Sequence, residues 1–307
     1  MKVPLTFLII FICAHALTEV TVNGRKFVIN GEPFLPVGIN RFMIYDAFNN
    51  RDNWKPEEYL RKLKKSGIKV VRIFVPEPGF EYKLGDYDER YVKLLDGFFR
   101  LAEKLGIYVV MALFDHYAFR YKWNESSYDV KNGGIIERSL ELYTDPKAIF
   151  YERKRIEFLV ERYKDSPALL AWEVINELDG IAPFFFLWRK HALRWFKEMR
   201  DFIKDLDPHH PITESLTGDG FWKEMNEEVD VIQIHTYRAK ALEDIPKIVE
   251  RYIGLTEQYG KPVIIGEFAP KRDYSDREIF IRNFLWSFAT AKILVGSGLI
   301  RMILTEI

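Results

Sequence analysis

Ala168-Leu169-Leu170-Ala171-Trp172-Glu173-Val174-Ile175-Asn176-Glu177 is a run of aliphatic and aromatic residues that ends on an acid. A run this apolar calls for a strand buried on both faces, as in a parallel sheet covered by helices. Pro262-Val263-Ile264-Ile265-Gly266-Glu267-Phe268 repeats the pattern and again ends near a glutamate. Acids at the C-terminal lips of such strands occupy the end where (β/α)8 barrels carry their sites.

The rest of the chain agrees with that architecture. Six further strands are predicted at Phe34–Asn40, Ile68–Val75, Ile107–Phe114, Pro211–Leu216, Val229–Thr236 and Gly298–Leu304. With Ala168–Ile175 and Pro262–Phe268 they make eight, and the two glutamates fall on the fourth and seventh. Amphipathic, charge-rich helices are predicted at Pro56–Ser66, Glu89–Leu105, Pro146–Tyr163, Leu187–Leu206, Leu242–Tyr259 and Asp276–Ala291. Only the connection around Gly218–Met225 is short. Alternating strands and helices predict a closed parallel barrel, a TIM barrel of class α/β. Ahead of it, Val20–Gly31 contains two Asn-Gly dipeptides and reads as a β-hairpin that plugs the barrel's N-terminal end. The eighth strand candidate ends three residues before Ile307, so the expected domain, residues 17–307, is a C-terminally truncated barrel lacking its last helix.

Lys2, the apolar run Val3–Cys13 and Ala14-His15-Ala16 have the form of a cleavable signal peptide over residues 1–16. The expectation is a secreted, extracellular protein that is free of the membrane after cleavage and acts as a monomer. The one cysteine, Cys13, lies inside that segment, so disulfides play no part in the rest. The balance of 45 basic against 45 acidic residues argues against nucleic acid as a partner. The histidines lack zinc spacing, and neither a phosphate loop nor a Gly-x-Ser-x-Gly elbow occurs, so no metal or cofactor is expected.

Two carboxylates facing one cleft are what glycosidic bond cleavage requires. Trp172-Glu173-Val174-Ile175-Asn176-Glu177 resembles the Asn-Glu acid/base motif on strand four of the clan A glycoside hydrolases. Ile264-Ile265-Gly266-Glu267-Phe268 resembles their strand-seven nucleophile motif. Val28-Ile29-Asn30-Gly31-Glu32-Pro33-Phe34 and Gly38-Ile39-Asn40 are similar to the entry hairpin and first strand of family 5 mannanases. The resemblance spans most of the chain and is closest to the endo-β-1,4-mannanase and cellulase branches of family 5.

It implies a retaining glycoside hydrolase acting on β-1,4-linked polysaccharide, foremost an endo-β-mannanase. The alternatives are a cellulase or β-glucanase of the same family, or a carbohydrate-binding barrel with impaired catalysis. Glu177 is then the acid/base and Glu267 the nucleophile, with carboxyl groups about 5–5.5 Å apart. Glu177 should titrate high and Glu267 low. Arg72 corresponds to the family's strand-two arginine, beside Glu267, against Glu173, or both. His235 and Tyr237 match the strand-six His-x-Tyr, with the tyrosine hydroxyl on the nucleophile. His116 resembles a substrate-binding histidine, and Arg72, His235, Tyr237, Asn176 and Asn40 join the substrate-binding set.

Aromatic residues extend that set. Trp123, in the long connection from Asp115 to Asp145, is either a sugar platform or part of a loop packed on itself. Trp222 is a sugar platform or a packing residue at the barrel top. Phe184–Trp188 reads as helix core. Arg301 stands where the family carries a tryptophan beneath the sugar.

Overall fold

The computed structural model describes residues 17–35, 37–41, 55–77, 79–181, 185–217, 222–237, 241–268, 279–287 and 299–305, and for Arg41, Phe185 and 299–305 the backbone alone. The proposed signal peptide and the side chain of Arg301 lie outside the described residues.

The chain opens with the antiparallel pair β1 (Thr21–Asn23) and β2 (Lys26–Ile29), to which β3 (Glu32–Pro33) is added. Then follow β4 (Val37–Arg41), α1 (Pro56–Lys65), β5 (Val70–Phe74), the small pair β6 (Glu81–Lys83) and β7 (Asp86–Tyr87), and α2 (Glu89–Leu105). Next come β8 (Tyr108–Asp115), α3 (His116–Tyr121), α4 (Pro146–Tyr163), β9 (Leu169–Asn176), α5 (Arg189–Leu206) and β10 (Ile212–Glu214). The last elements are α6 (Lys223–Glu228), β11 (Val231–Thr236), α7 (Ile245–Tyr259), β12 (Val263–Phe268), α8 at 279–287 and β13 (Leu299–Thr305).

Eight strands close into one parallel barrel in the order β4-β5-β8-β9-β10-β11-β12-β13, with β13 paired back onto β4. Every predicted strand is present, displaced at its ends by no more than a few residues. Among the described residues, the short fifth connection holds one six-residue helix, α6.

Local chemistry explains the elements. All eight residues of β9 are buried, as its unbroken apolar run demands. Asp145 caps α4 by accepting from the backbone N–H groups of Lys147 and Ala148, and Pro146 takes the first helical position, where no N–H is needed. Asp88 caps α2, and Gly106 ends it at a φ of +71° that a side chain would resist.

The hairpin is the predicted plug. Val20 and Phe27 pack with Val70, Tyr108, Leu170, Val231 and Ile264, residues from the N-terminal halves of five barrel strands. The Tyr108 hydroxyl donates to the carbonyl of Thr18 at 2.7 Å. The hairpin therefore covers the bottom of the barrel beneath these five strands.

The connection after β8 is packed on itself. Tyr128 is fully buried, and Trp123 is partly buried with its indole N–H on the carbonyl of Glu137 at 3.1 Å. Glu77, beyond β5, anchors the loop by accepting from the Ser127 N–H at 3.1 Å and the Ser126 hydroxyl at 3.3 Å. Trp123 thus ties the loop together through its indole N–H.

Candidate active site

The C-terminal end of the barrel gathers acids around one arginine. Arg72 of β5 is fully buried, and its five N–H hydrogens meet five acceptors. Nε and Nη2 donate to the two oxygens of Glu173, each at 2.5 Å. Nη1 donates to Oε1 of Glu267 at 2.9 Å and to Oδ1 of Asn40 at 3.2 Å. Nη2 also donates to Oδ1 of Asn176 at 2.8 Å. Both partners foreseen for Arg72 are thus real. Burial pushes the guanidinium pKa down, but Glu173 and Glu267 outweigh it, so the group is held charged more firmly than usual.

The two candidate acids flank this cluster. Tyr237 donates its phenol to Oε2 of Glu267. His235 places Nδ1 2.8 Å from Oε1 of Glu177 and 3.7 Å from Oε2 of Glu267. His116 places Nε2 3.4 Å from Oε2 of Glu177, so each oxygen of that carboxylate faces an imidazole. Glu177 and Glu267 present oxygens within 4.8 Å of one another.

Glu177 reaches the cleft by a route that strand alternation does not describe. It follows β9 in the left-handed region, φ +50° and ψ +62°, uncommon for a residue with a side chain. Glu173 and Asn176 of β9 both bond Arg72, whereas Ile175 belongs to the apolar core. The turn is held by the Glu177 N–H on the Ser215 hydroxyl at 2.8 Å, and Ser215 in turn donates to Glu173 at 2.6 Å.

Three expectations are corrected, and one of the two readings of Trp222 is favoured. Burial pushes the Glu177 carboxyl up, but the His235 hydrogen bond and the charges of His235, His116 and Arg72 overcome it, so Glu177 lies below the ordinary range rather than above. Arg72 and Asn40 are fully buried, and Asn40 donates to the carbonyl of Gly266 at 2.9 Å, so both hold the acids in place and do not face a substrate. Trp222 is 4 % exposed and lies under the Arg189 guanidinium at 4.6 Å, which makes it a packing residue. In the run read as helix core, Phe186 and Leu187 are exposed, because α5 begins only at Arg189.

Asn176 bridges Arg72 and Asp115, to which its amide donates at 2.9 Å. Ser215, Gln233 and Asp115 complete the network. Gln233 donates to Glu173 at 2.9 Å, and its side chain fills the space left open at Gly266. Asp115 and Ser215 stand at strand ends and Gln233 lies within β11, but nothing local singled them out.

Among the described residues, Glu177, His235 and Glu267 form one group whose donor atoms converge closely enough for an ion. A cation there would compete with the Arg72 guanidinium and the Tyr237 hydroxyl already on Glu267, so the donor set fits proton chemistry better than metal binding.

Comparison with known proteins agrees with the geometry. The chain is 26% identical over 323 aligned positions to mannan endo-1,4-beta-mannosidase 1 of Solanum lycopersicum, covering 89% of this chain and 79% of that protein. It is 29% identical over 214 positions to mannan endo-1,4-beta-mannosidase 5 of the same plant, covering 65% of this chain, which spans about half (51%) of that relative. The endo-beta-1,4-mannanase of Thermotoga petrophila superposes with a TM-score of 0.70 at 22% identity, over 91% of this chain and 70% of that one, and shares the barrel. Residues 29–279 match the family model described as Cellulase (glycosyl hydrolase family 5), and the chain belongs to that family of O-glycosyl hydrolases.

Proposed function

We propose that this protein is a retaining endo-β-1,4-mannanase. The observation that carries the reading is that one oxygen of Glu177 lies within 4.8 Å of one oxygen of Glu267, so the two carboxyl groups face each other across a short gap. Retaining glycosidases hold their carboxyl groups about 5–5.5 Å apart, whereas inverting enzymes leave roughly 6.5–9.5 Å for a water. Mannan is favoured by the relatives named mannan endo-1,4-beta-mannosidases.

In the proposed mechanism Glu267 attacks the anomeric carbon as a carboxylate. The Arg72 guanidinium and Tyr237 hydroxyl stabilise its charge beforehand. Glu177 protonates the departing glycosidic oxygen, then takes a proton from the water that releases the sugar. The histidines on its two oxygens hold the carboxyl in place through both steps. The free enzyme keeps Glu177 ionisable at low pH, and displacement of water by substrate would raise its proton affinity when a proton is needed.

Secretion belongs to the same reading. Residues 1–16 have the form of a leader, and among the described residues no helix is long and apolar enough to cross a membrane.

The experiment is incubation with β-mannan, cellulose and mixed-linkage β-glucan, with reducing ends and product lengths followed. Mannan cleavage to mixed oligosaccharides, with β-anomers formed first by proton NMR, supports the reading. Preferential cleavage of cellulose or mixed-linkage glucan would transfer the chain to the cellulase branch. Binding without cleavage of any would leave a carbohydrate-binding barrel.

A further inference from the structure

We infer that Gly180 is a positioning residue: its missing side chain lets the His116 imidazole lie against Glu177, so residues 116 and 180 form a matched pair. The inference rests on the acid/base role proposed for Glu177.

A Cβ added at Gly180 would fall 2.4 Å from Cδ2 of His116 and 2.8 Å from its Cγ and Nε2, closer than such contacts ever stand. Gly180 is not among the glycines at positive φ, so the backbone itself would accept alanine. The objection is the imidazole alone.

Neither partner can step aside cheaply. The turn from Glu177 to Gly180 is closed by the Gly180 N–H on the Glu177 carbonyl at 2.7 Å. Arg120 of α3 donates to the Gly180 carbonyl at 2.9 Å, and the Tyr143 hydroxyl donates to that of Leu178 at 2.8 Å. The ring is buried, with Nδ1 3.1 Å from the Asn176 carbonyl. That contact directs the other nitrogen, Nε2, at Glu177. A methyl group at 180 therefore has to turn the ring away from Oε2 of Glu177.

The consequence is electrostatic. Glu177 is faced by His235 of β11, His116 of α3, Arg72 of β5, Glu267 of β12 and Asp179 of its own turn, while Asp115 lies 3.8 Å from His116. Moving His116 off removes one of the charges that favour the ionised carboxyl. Glu177 would then keep its proton to higher pH.

The test uses wild type, Gly180→Ala, His116→Ala and the double variant. Gly180→Ala is expected to lower kcat/KM by about tenfold to a hundredfold, the scale of a misplaced catalytic contact. It should also move the alkaline limb of the pH profile up by about half to one unit. In the His116→Ala background the same substitution should cost less than about twofold, because the ring it strikes is gone. An undiminished cost in that background, or an unmoved limb, overturns the inference. A Gly180→Ala protein too unstable to assay is still informative: its melting temperature should recover in the double variant, and failure to recover overturns the pairing.

A second measurement does not depend on turnover. The Hε1 resonance of His116, identified by its loss in His116→Ala, should shift on Glu177→Gln in the wild-type background and not in Gly180→Ala. If wild type cleaves no β-linked polysaccharide, the enzymatic reading fails, while the resonance still decides the contact.

Discussion

Arg72 donates from Nη1 to Oε1 of Glu267 at 2.9 Å, across 195 positions of chain, while its other edge grips Glu173. One guanidinium thus serves a structural acid and the proposed nucleophile together. All three side chains are at least 94 % shielded from water, so removing the one cation would leave two buried carboxylates uncompensated.

Arg72→Met is therefore expected to cost about 3–5 kcal/mol of stability, the range for removing one partner of a buried ion pair. Glu173→Gln added to it should recover part of that loss. Urea denaturation of both variants measures this, and a loss below about 1 kcal/mol for Arg72→Met would mean the cluster tolerates an unpaired acid.

Glu177→Gln preserves shape and removes the proton. It should lower kcat about a hundredfold to ten-thousandfold on mannan, the usual worth of general acid–base catalysis. Substrates whose leaving group departs without a proton, such as dinitrophenyl glycosides, should still form the covalent intermediate rapidly. Equal losses on both substrate types would take the acid role from Glu177.

Tyr237→Phe deletes the hydroxyl that donates to Glu267. Because Tyr237 is 43 % exposed, the fold should be nearly indifferent. A hydrogen bond to a charged group contributes about 1.5–3 kcal/mol, so kcat should fall roughly tenfold to a hundredfold with melting temperature held. Unchanged kcat would make the tyrosine a bystander.

Outside the site, Glu81 lies in a buried group with Glu77 and Arg155, with Oε2 3.6 Å from Arg155 Nη1. Burial pushes its carboxyl up to about 7, against Arg155 and reinforced by the charge of Glu77. The folded state thus holds a proton that the unfolded state gives up near pH 4.5. Stability from this group is complete below that pH and declines as pH rises toward 7, by at most about 3 kcal/mol. Urea midpoints from pH 4.5 to 8 should show that decline in wild type and a flatter curve in Glu81→Gln. Parallel curves would remove Glu81 as the cause.

The barrel itself was legible because its signals are local. Eight apolar runs separated by amphipathic helices can form little else, and the acids of the fourth and seventh runs were placed at the correct end by position in the strand alone. Asn-Gly turns likewise announced the plug.

Tertiary closure decided what those local patterns cannot carry. Trp222 and Phe186 are both aromatic residues near the barrel top, yet one is covered by Arg189 and the other is exposed. The left-handed turn at Glu177, the Ser215 and Gln233 links to Glu173, and the fit of His116 against Gly180 all depend on residues about 40 to 65 positions apart meeting at close range. Periodicity states which face a residue takes on its own strand. It does not state which neighbour closure brings within 3 Å, and hydrogen bonds and charges at that range determine whether a carboxyl holds or releases its proton.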